Sequence, residues 1–267
     1  MSAIISSTAN PAIRRIRALR QRKARDETGL CLVEGIRPVA EALQSGAELD
    51  QLLVAPALLR SAFAHDLVAA QRAAGTPVLE VSPEVFASFA QKEGPQGLAA
   101  VVRQRFTSLA GLPRDRRPGP VALVEPADPG NLGTIIRTAD AAGAAGVIIL
   151  GPAADPYDPA ALRASMGVAF ALPLVRTSWE QFVAWKQASG LPLIGTADRA
   201  SHDFQAVVYP QPAVLLMGSE RAGLSPAQQA CCDLMVAIPM HGHSDSLNLA
   251  VATGVMLYEL LRQLRAR

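Results

Sequence analysis

The sequence predicts an α/β protein made of two successive α/β regions joined by an irregular segment. Three observations carry that reading. Short apolar runs alternate with stretches of helical periodicity from residue 29 onward. The alternation breaks once, at TSLAGLPRDRRPGP, which is rich in Pro, Gly and Arg and has no periodicity. Beyond it, polar residues stand directly behind successive apolar runs, the place where open α/β sheets bind ligands. The expected divisions are a basic arm over residues 1–28, an α/β region over 29–105, a linker over 106–119 and a second α/β region over 120–267.

In the arm, Arg14, Arg15, Arg17, Arg20, Arg22, Lys23 and Arg25 carry no acid among them, and Ile13, Ile16 and Leu19 recur at helical spacing. This predicts an amphipathic basic helix. It either docks by its apolar stripe or contacts nucleic-acid phosphates, and charge pattern alone weighs the two equally. Gly29–Glu34 reads as a strand, and Gly35 and Pro38 open a helix through Leu43 that carries Arg37. Leu49–Val54 is a strand, 56–74 is helical and Val78–Val81 is a strand. A helix begins at Pro83 with Ser82 as its cap, and Leu98–Val102 is the last strand of this region.

From Val121 the pattern restarts. Val121–Val124 and Val147–Leu150 are strands flanking a helix, Leu132–Ala142, in a βαβ unit. On that helix Thr134, Arg137, Thr138 and Ala141 share one face, opposite Ile135, Ile136 and Ala139. A helix follows from Ala160 and another over Trp179–Ala188. Leu193–Thr196, Val214–Met217 and Leu234–Ile238 are strands, and Ser225-Pro226 starts a short helix. After a polar loop, Ser246 is placed to cap a long apolar helix from Leu247 whose first turn carries Asn248.

Composition excludes several classes. Half of the 267 residues are hydrophobic, which suffices for a sizeable core. No apolar run reaches bilayer length and the N-terminus has no apolar signal region, so a soluble cytoplasmic protein is expected. The three cysteines, with Cys231 and Cys232 adjacent, offer neither a disulfide framework nor a C-x-x-C zinc pair. Net charge is only +2, but 22 of the 25 basic residues are arginine, the better bidentate phosphate ligand. Genomic composition bias explains that ratio better than function does.

The chemistry narrows by motif. There is no G-x-G-x-x-G after the first strand of the second region, no Walker A motif and no G-x-S-x-G elbow. His241-x-His243 lacks further ligands at metal spacing, so no metal is expected. What remains is a polar set at three strand ends: Asn131 and Arg137, then Glu220, then Ser246 and Asn248. Each stands beside a glycine or a helix start, which suits positioning and electrostatic work on an anionic or alcoholic substrate.

Three segments in order, DPGNLGTIIRTADAAGA, LLMGSERAGLS and IPMHGHSDSLNLAVATGVMLYEL, resemble the three motifs of the SpoU (TrmH) branch of the SPOUT RNA methyltransferases, and PYDPAALRASMGVAFALP between the first two is also similar. CLVEGIRPVAEAL and GPQGLAAVV resemble the L30e-like substrate-binding domain of the longer family members. The resemblance implies a C-terminal α/β knot, a mostly parallel sheet with a deep trefoil knot, behind a small L30e-like domain. It implies a homodimer and a ribose 2′-O-methyltransferase using S-adenosylmethionine, with rRNA favoured over tRNA as substrate. An inactive RNA-binding module of the same fold is the alternative outside the enzymes. Carried onto this chain, the donor contacts fall at Leu216, Gly218, Ile238, Met240 and Leu247. The motif arginine matches Arg137, and Asn131, Glu220, Ser246 and Asn248 match the other site residues. Arg14, Arg15, Arg17, Arg20, Arg22, Lys23 and Arg37 are the expected RNA contacts. One departure is His243-Ser244-Asp245, where many relatives carry a small residue, Val and Glu.

Overall fold

The computed structural model describes residues 4–91, 94–115 and 118–266. Arg116 and Arg117 of the expected linker lie outside the described residues. In chain order the elements are α1 (Pro11–Ala18), α2 (Arg22–Thr28), β1 (Leu30–Glu34), α3 (Ile36–Gln44), β2 (Leu49–Val54), α4 (Ala62–Ala73), β3 (Val78–Glu80), α5 (Pro83–Phe89) and β4 (Leu98–Arg103). They continue with β5 (Val121–Val124), α6 (Pro129–Ala141), β6 (Val147–Leu150), α7 (Pro159–Ser165), β7 (Leu174–Thr177), α8 (Trp179–Ser189), β8 (Leu193–Thr196) and β9 (His202–Asp203). β10 (Val214–Met217), α9 (Pro226–Ala230), β11 (Leu234–Ala237) and α10 (Leu249–Arg265) complete the chain.

The chain divides into two compact units. The first comprises residues 1–105 together with Tyr157–Ala171; the second comprises Phe106–Pro156 and Leu172–Arg267. The segment carrying α7 thus leaves the second unit after β6 and returns before β7, a detour with no composition signal in the sequence. Residues 106–112 belong to the second unit. Phe106 lies 4.6 Å under the Arg176 guanidinium, Thr107 donates to the Leu174 carbonyl at 2.8 Å, and Leu112 is buried in the core.

The first unit has a four-stranded sheet in the order β1-β4-β2-β3, with β1 and β2 antiparallel to β4 and β3 parallel to β2. Its core gathers Ile13, Ile16 and Leu19 with Leu53, Phe86 and Phe89. The apolar stripe of the basic segment is therefore docked. The single basic helix expected there is two. α1 is capped by Asn10 and ends at Ala18, and α2 restarts at Arg22 and ends at Gly29, which takes a left-handed φ of 67°. Neither Gly nor Pro marks the break. Arg25 is not on the solvated face but buried, donating to the carbonyls of Leu19 and Arg20 and pairing with Asp158 at 3.1 Å. The helix expected over 56–74 begins only at Ala62, where the Ser61 hydroxyl accepts from Ala64 N–H.

The second unit holds seven strands in the order β7-β6-β5-β10-β8-β11-β9, and every pairing is parallel. Both faces of such a sheet are covered, which is why β5, β6 and β10 are buried along their whole length. The chain builds outward from β5 to β7, crosses to β8, and later inserts β10 between β5 and β8. That reversal is a topological switch point. α10 packs against α6 and β10.

Two helix starts next to the strand ends of the second unit also differ from expectation. α6 begins at Pro129, not Leu132, because the Asp128 carboxylate accepts from the Asn131 N–H at 2.6 Å. Asn131 is therefore in the first turn of the helix and not in the loop before it. α10 begins at Leu249, capped by Asn248, whose Oδ1 accepts from Ala250 and Val251 N–H at 2.9 and 3.4 Å. The expected cap, Ser246, instead donates to Asp245 at 3.1 Å. Asparagine and serine cap about equally well, so the register of the apolar face decides: Leu249, Ala250, Thr253, Met256, Leu257 and Leu260 are buried on it.

Candidate active site

Because β5, β10, β8 and β11 are parallel neighbours, their C-terminal ends open on one edge of the sheet. Three segments leave from that edge: the loop from Glu125 into α6, the turn Gly218–Gly223, and residues 238–248 running into α10. The Gly218 turn is tight. Ser219 and Gly223 exchange backbone hydrogen bonds at 3.2 and 3.0 Å, and a Cβ on Gly218 would stand 2.6 Å from Leu224 N. Only glycine fits there. Glu125 opens the first loop with a φ of 45°, a left-handed conformation uncommon for a residue with a side chain.

Three of the five expected catalytic residues meet here in one chain of hydrogen bonds. Asn248 Nδ2 donates to Asn131 Oδ1 at 3.0 Å, and Asn131 Nδ2 points to Glu220 Oε1 at 3.4 Å. The other Glu220 oxygen accepts from Ala127 N–H at 3.0 Å. The direction of this chain is forced. Capping α10 uses the oxygen of the Asn248 amide, so its nitrogen must face Asn131. Asn131 must answer with its oxygen, which leaves its nitrogen for a carboxylate that can only accept. One carboxylate thereby holds the loop ahead of α6, and one amide ties α6 to the start of α10.

The remaining two, Arg137 and Ser246, do not join that chain. Arg137 projects from the exposed face of α6, less than two turns beyond Asn131, and makes no hydrogen bond or ion pair among the described residues. The opposite face of α6 is buried through Leu132, Ile135, Ile136 and Ala139. Ser246 is exposed, and among the described residues its hydroxyl reaches only Asp245. The site therefore separates a self-satisfied polar clamp from an unpartnered cation.

The expected donor contacts are distributed around the same edge. Leu216 is buried within β10, Gly218 follows β10 and Ile238 follows β11. Met240 is half-buried, while Leu247 is apolar and 39% exposed. Among the described residues, 238–247 form no backbone hydrogen bonds with one another or with the sheet. Free N–H and C=O groups beside apolar side chains suit a ligand with both an aromatic base and an amino-acid group, so these residues fit S-adenosylmethionine.

The expected RNA contacts all lie in the first unit. Arg14, Arg15, Arg22, Lys23 and Arg37 are exposed, and Arg17 and Arg20 are half-buried. Several hold local partners: Arg14 and Arg17 donate to the carbonyls of Ala9 and Thr8, Arg20 donates to that of Ala90, and Arg22, Lys23 and Arg37 pair with Asp26, Glu27 and Glu41. Exposed pairs of this kind are worth ~0–1 kcal/mol, so they exchange readily for phosphates. Sequence reading missed Arg163 of α7, an exposed arginine in the first unit, because its segment reads as part of the second region.

Comparison with known proteins agrees with this geometry. A family model described as the SpoU rRNA Methylase family matches residues 120–258, and one described as the MRM3-like substrate binding domain matches residues 10–100. The chain is 38% identical over 252 residues to the 23S rRNA (uridine(2479)-2′-O)-methyltransferase of Streptomyces viridochromogenes, covering 92% of this chain and 87% of that one. It is 32% identical over 257 residues to the 23S rRNA (guanosine(2553)-2′-O)-methyltransferase RlmP of Bacillus subtilis (strain 168), covering 96% and 98%. Its structure superimposes on the AdoMet-bound rRNA methyltransferase from Sinorhizobium meliloti with a TM-score of 0.90 and 39% identity over 98% of each chain. The chain belongs to the SpoU rRNA methylase family.

Proposed function

We propose that this protein methylates a ribose 2′-hydroxyl in structured RNA, 23S rRNA being the favoured substrate, with S-adenosylmethionine as donor. The observation that carries this is a clamp that joins all three motif segments at one sheet edge, with the unpartnered Arg137 on the same helix as its Asn131. The donor supplies an electrophilic methyl group. The chain's own task is to hold that group, the ribose and its phosphate in line. Leu216, Gly218, Ile238, Met240 and Leu247 would hold the donor. A guanidinium is a permanent cation and not a free base, and Arg137 supplies one here. As a cation it fixes the adjacent phosphate and favours the developing alkoxide, while the phosphate or a water takes the proton. Asn131, Glu220 and Asn248 keep the loops in register, and Ser246 is free to orient the ribose.

The division of labour we propose follows the two compact units. The basic arm and residues 29–105, with Tyr157–Ala171 packed among them, grip the RNA, and the rest of residues 120–267 carries methyl transfer in a knotted, cytoplasmic enzyme. We further propose a homodimer. Val251 and Tyr258 of α10, each 53% exposed, and Leu247 ahead of it leave an apolar stripe that a second copy would cover. A monomeric mass in solution would remove that part. The activity is tested with labelled S-adenosylmethionine and RNA from cells lacking this protein. Label in 23S rRNA as 2′-O-methyl ribose is expected. Label confined to tRNA would move the substrate there, and donor binding without transfer to any RNA would leave an RNA-binding module.

A further inference from the structure

The first unit contains a cavity of about 300 Å³, at the lower end of the ligand-pocket range of roughly 300–1,000 Å³. Pro38, Met166 and the edge of Leu32 give it apolar walls, and Arg20, Arg37 and Arg163 line it with positive charge. These arginines come from three places: the turn after α1, the first turn of α3 and the last turn of α7. The two helices are held close. Gly167, just after α7, has a φ of 92° and approaches α3 so nearly that a Cβ there would stand 2.8 Å from Glu41 Cβ and 3.1 Å from the Pro38 carbonyl.

We infer that this cavity takes one unstacked nucleotide of a single-stranded stretch of the RNA, its base against the apolar wall and its phosphates on the arginines. The charges are available. Arg163 has no hydrogen bond or ion pair among the described residues, and Arg37 reaches Glu41 only at 3.9 Å. Arg20 is fixed by one bond to the Ala90 carbonyl, which leaves other N–H groups of its fork. The polar wall suits a base edge. Gln96 spends its Oε1 on Ile36 N–H at 3.2 Å and keeps its amide N–H groups, while Glu34 contributes the lining's carboxylate and has one oxygen on Gln91 N–H at 2.7 Å. The Gln96 amide N–H groups are donors that a base carbonyl or ring nitrogen can use. An acidic peptide would meet Glu34 and an apolar floor where it needs cations. RNA is favoured over a free nucleotide because the exposed arginines of α1 and α2 extend the positive surface on the Arg20 side.

This deepens the reading of RNA as substrate and rests on it, but its test does not require catalysis. The full chain is titrated into fluorescein-labelled single-stranded octamers of uridine and of adenosine, followed by anisotropy. Arg163→Glu reverses an exposed charge, and Met166→Trp fills the cavity from a half-buried position. Each is expected to weaken octamer binding at least tenfold with an unchanged melting midpoint. Arg163→Ala is expected to lower the slope of log affinity against log salt by about 0.7, the loss of one single-strand phosphate contact. Should Met166→Trp not fold, the Arg163 variants decide. Octamer binding unchanged in folded variants overturns the inference, as does no octamer binding by the unaltered protein. Displacement by free UMP or AMP at octamer-like concentrations overturns it in favour of a free nucleotide. Methylation of rRNA is followed in the same preparations. Variants that bind normally beside an active parent sink the pocket alone. Weakened variants beside an inactive parent keep the pocket and sink the enzyme.

Discussion

Asn248→Ala separates the clamp from the loop around it. The substitution removes the cap of α10, two bonds to Ala250 and Val251 N–H, and the bond to Asn131. Loss of such a cap costs ~1 kcal/mol, within a range of about 0.5–2. The amide–amide bond is exposed and belongs at the low end of the usual contribution, about 0.5 kcal/mol. The sum is ~1.5 kcal/mol, or a fall of roughly 3–6 °C at ~2–4 °C per kcal/mol for a unit of this size. Ser246→Ala is the control. It removes only a bond to Asp245 on an exposed loop and should stay within ~0.5 kcal/mol of the parent. Thermal melts followed by circular dichroism read both. A Ser246 variant as unstable as the Asn248 variant would refute the assignment of the cap. A double-mutant cycle with Asn131→Ala goes further, because residues in contact couple by about 0.5 kcal/mol or more. Strict additivity would mean that the hydrogen-bonded chain transmits nothing.

Arg137→Ala should keep the melting midpoint and donor affinity but lose methyl transfer by at least ~100-fold, as expected when a charge-stabilising donor is removed; near-normal single-turnover rates would remove its role. The Arg262 guanidinium, with Gln263, holds Glu259 below the usual carboxylate range. A depressed folded pKa stabilises above the unfolded value of about 4.3 and is lost as pH falls through the folded one. Urea midpoints of Glu259→Gln should therefore fall less steeply than the parent's below that pH, and parallel curves would contradict this. Asp158→Asn keeps a capping side chain for α7 but strips the charge facing buried Arg25. A loss of about 1–3 kcal/mol is expected by denaturant titration, and an unchanged midpoint would show the pair to be inert. Burial, aided by Cys231 and Asp233, pushes the Cys232 thiol up to about 12. Iodoacetamide at pH 8 should spare it in the native protein and label it in urea; rapid native labelling, read by mass spectrometry, would contradict that.

Much of the architecture was legible because its signals are local. Val121–Val124, Val147–Leu150 and Val214–Met217 are short, wholly apolar runs, and each is a buried parallel strand as read. Ser82 caps its helix as its spacing from Pro83 predicts. What failed was whatever depends on contacts distant in sequence. Nothing near Arg25 says that it is buried, because its partner is Asp158. Nothing in PYDPAALRASMGVAFALP says that Tyr157–Ala171 belongs with the first unit; Tyr157, for instance, both donates to and accepts from the Arg105 backbone. β9, two residues long, pairs only at the sheet edge beside β11 and carries no apolar run. The choice between Ser246 and Asn248 as cap was beyond reach for a different reason. Both residues cap well, and only the packing of α10 selects one.

The polar residues of the candidate site were legible as a set, but which of them bond to one another was not. At the level of sequence, Arg137 stands out as the motif arginine and Ser246 as a cap, while Asn131, Glu220 and Asn248 are simply polar residues near strand ends. Geometry sorts them by what remains unsatisfied. The two asparagines and the glutamate direct their bonds at one another and at the backbone they brace, so changing any of them acts first on loop position. Arg137 is held by none of those bonds, on a helix whose opposite face is fixed in the core, so its position is rigid while its charge is free. A cation at an exposed site is weak in water and gains strength once substrate excludes solvent. The clamp residues should therefore show their loss in stability and donor affinity together. Arg137 should show its loss only after RNA is bound.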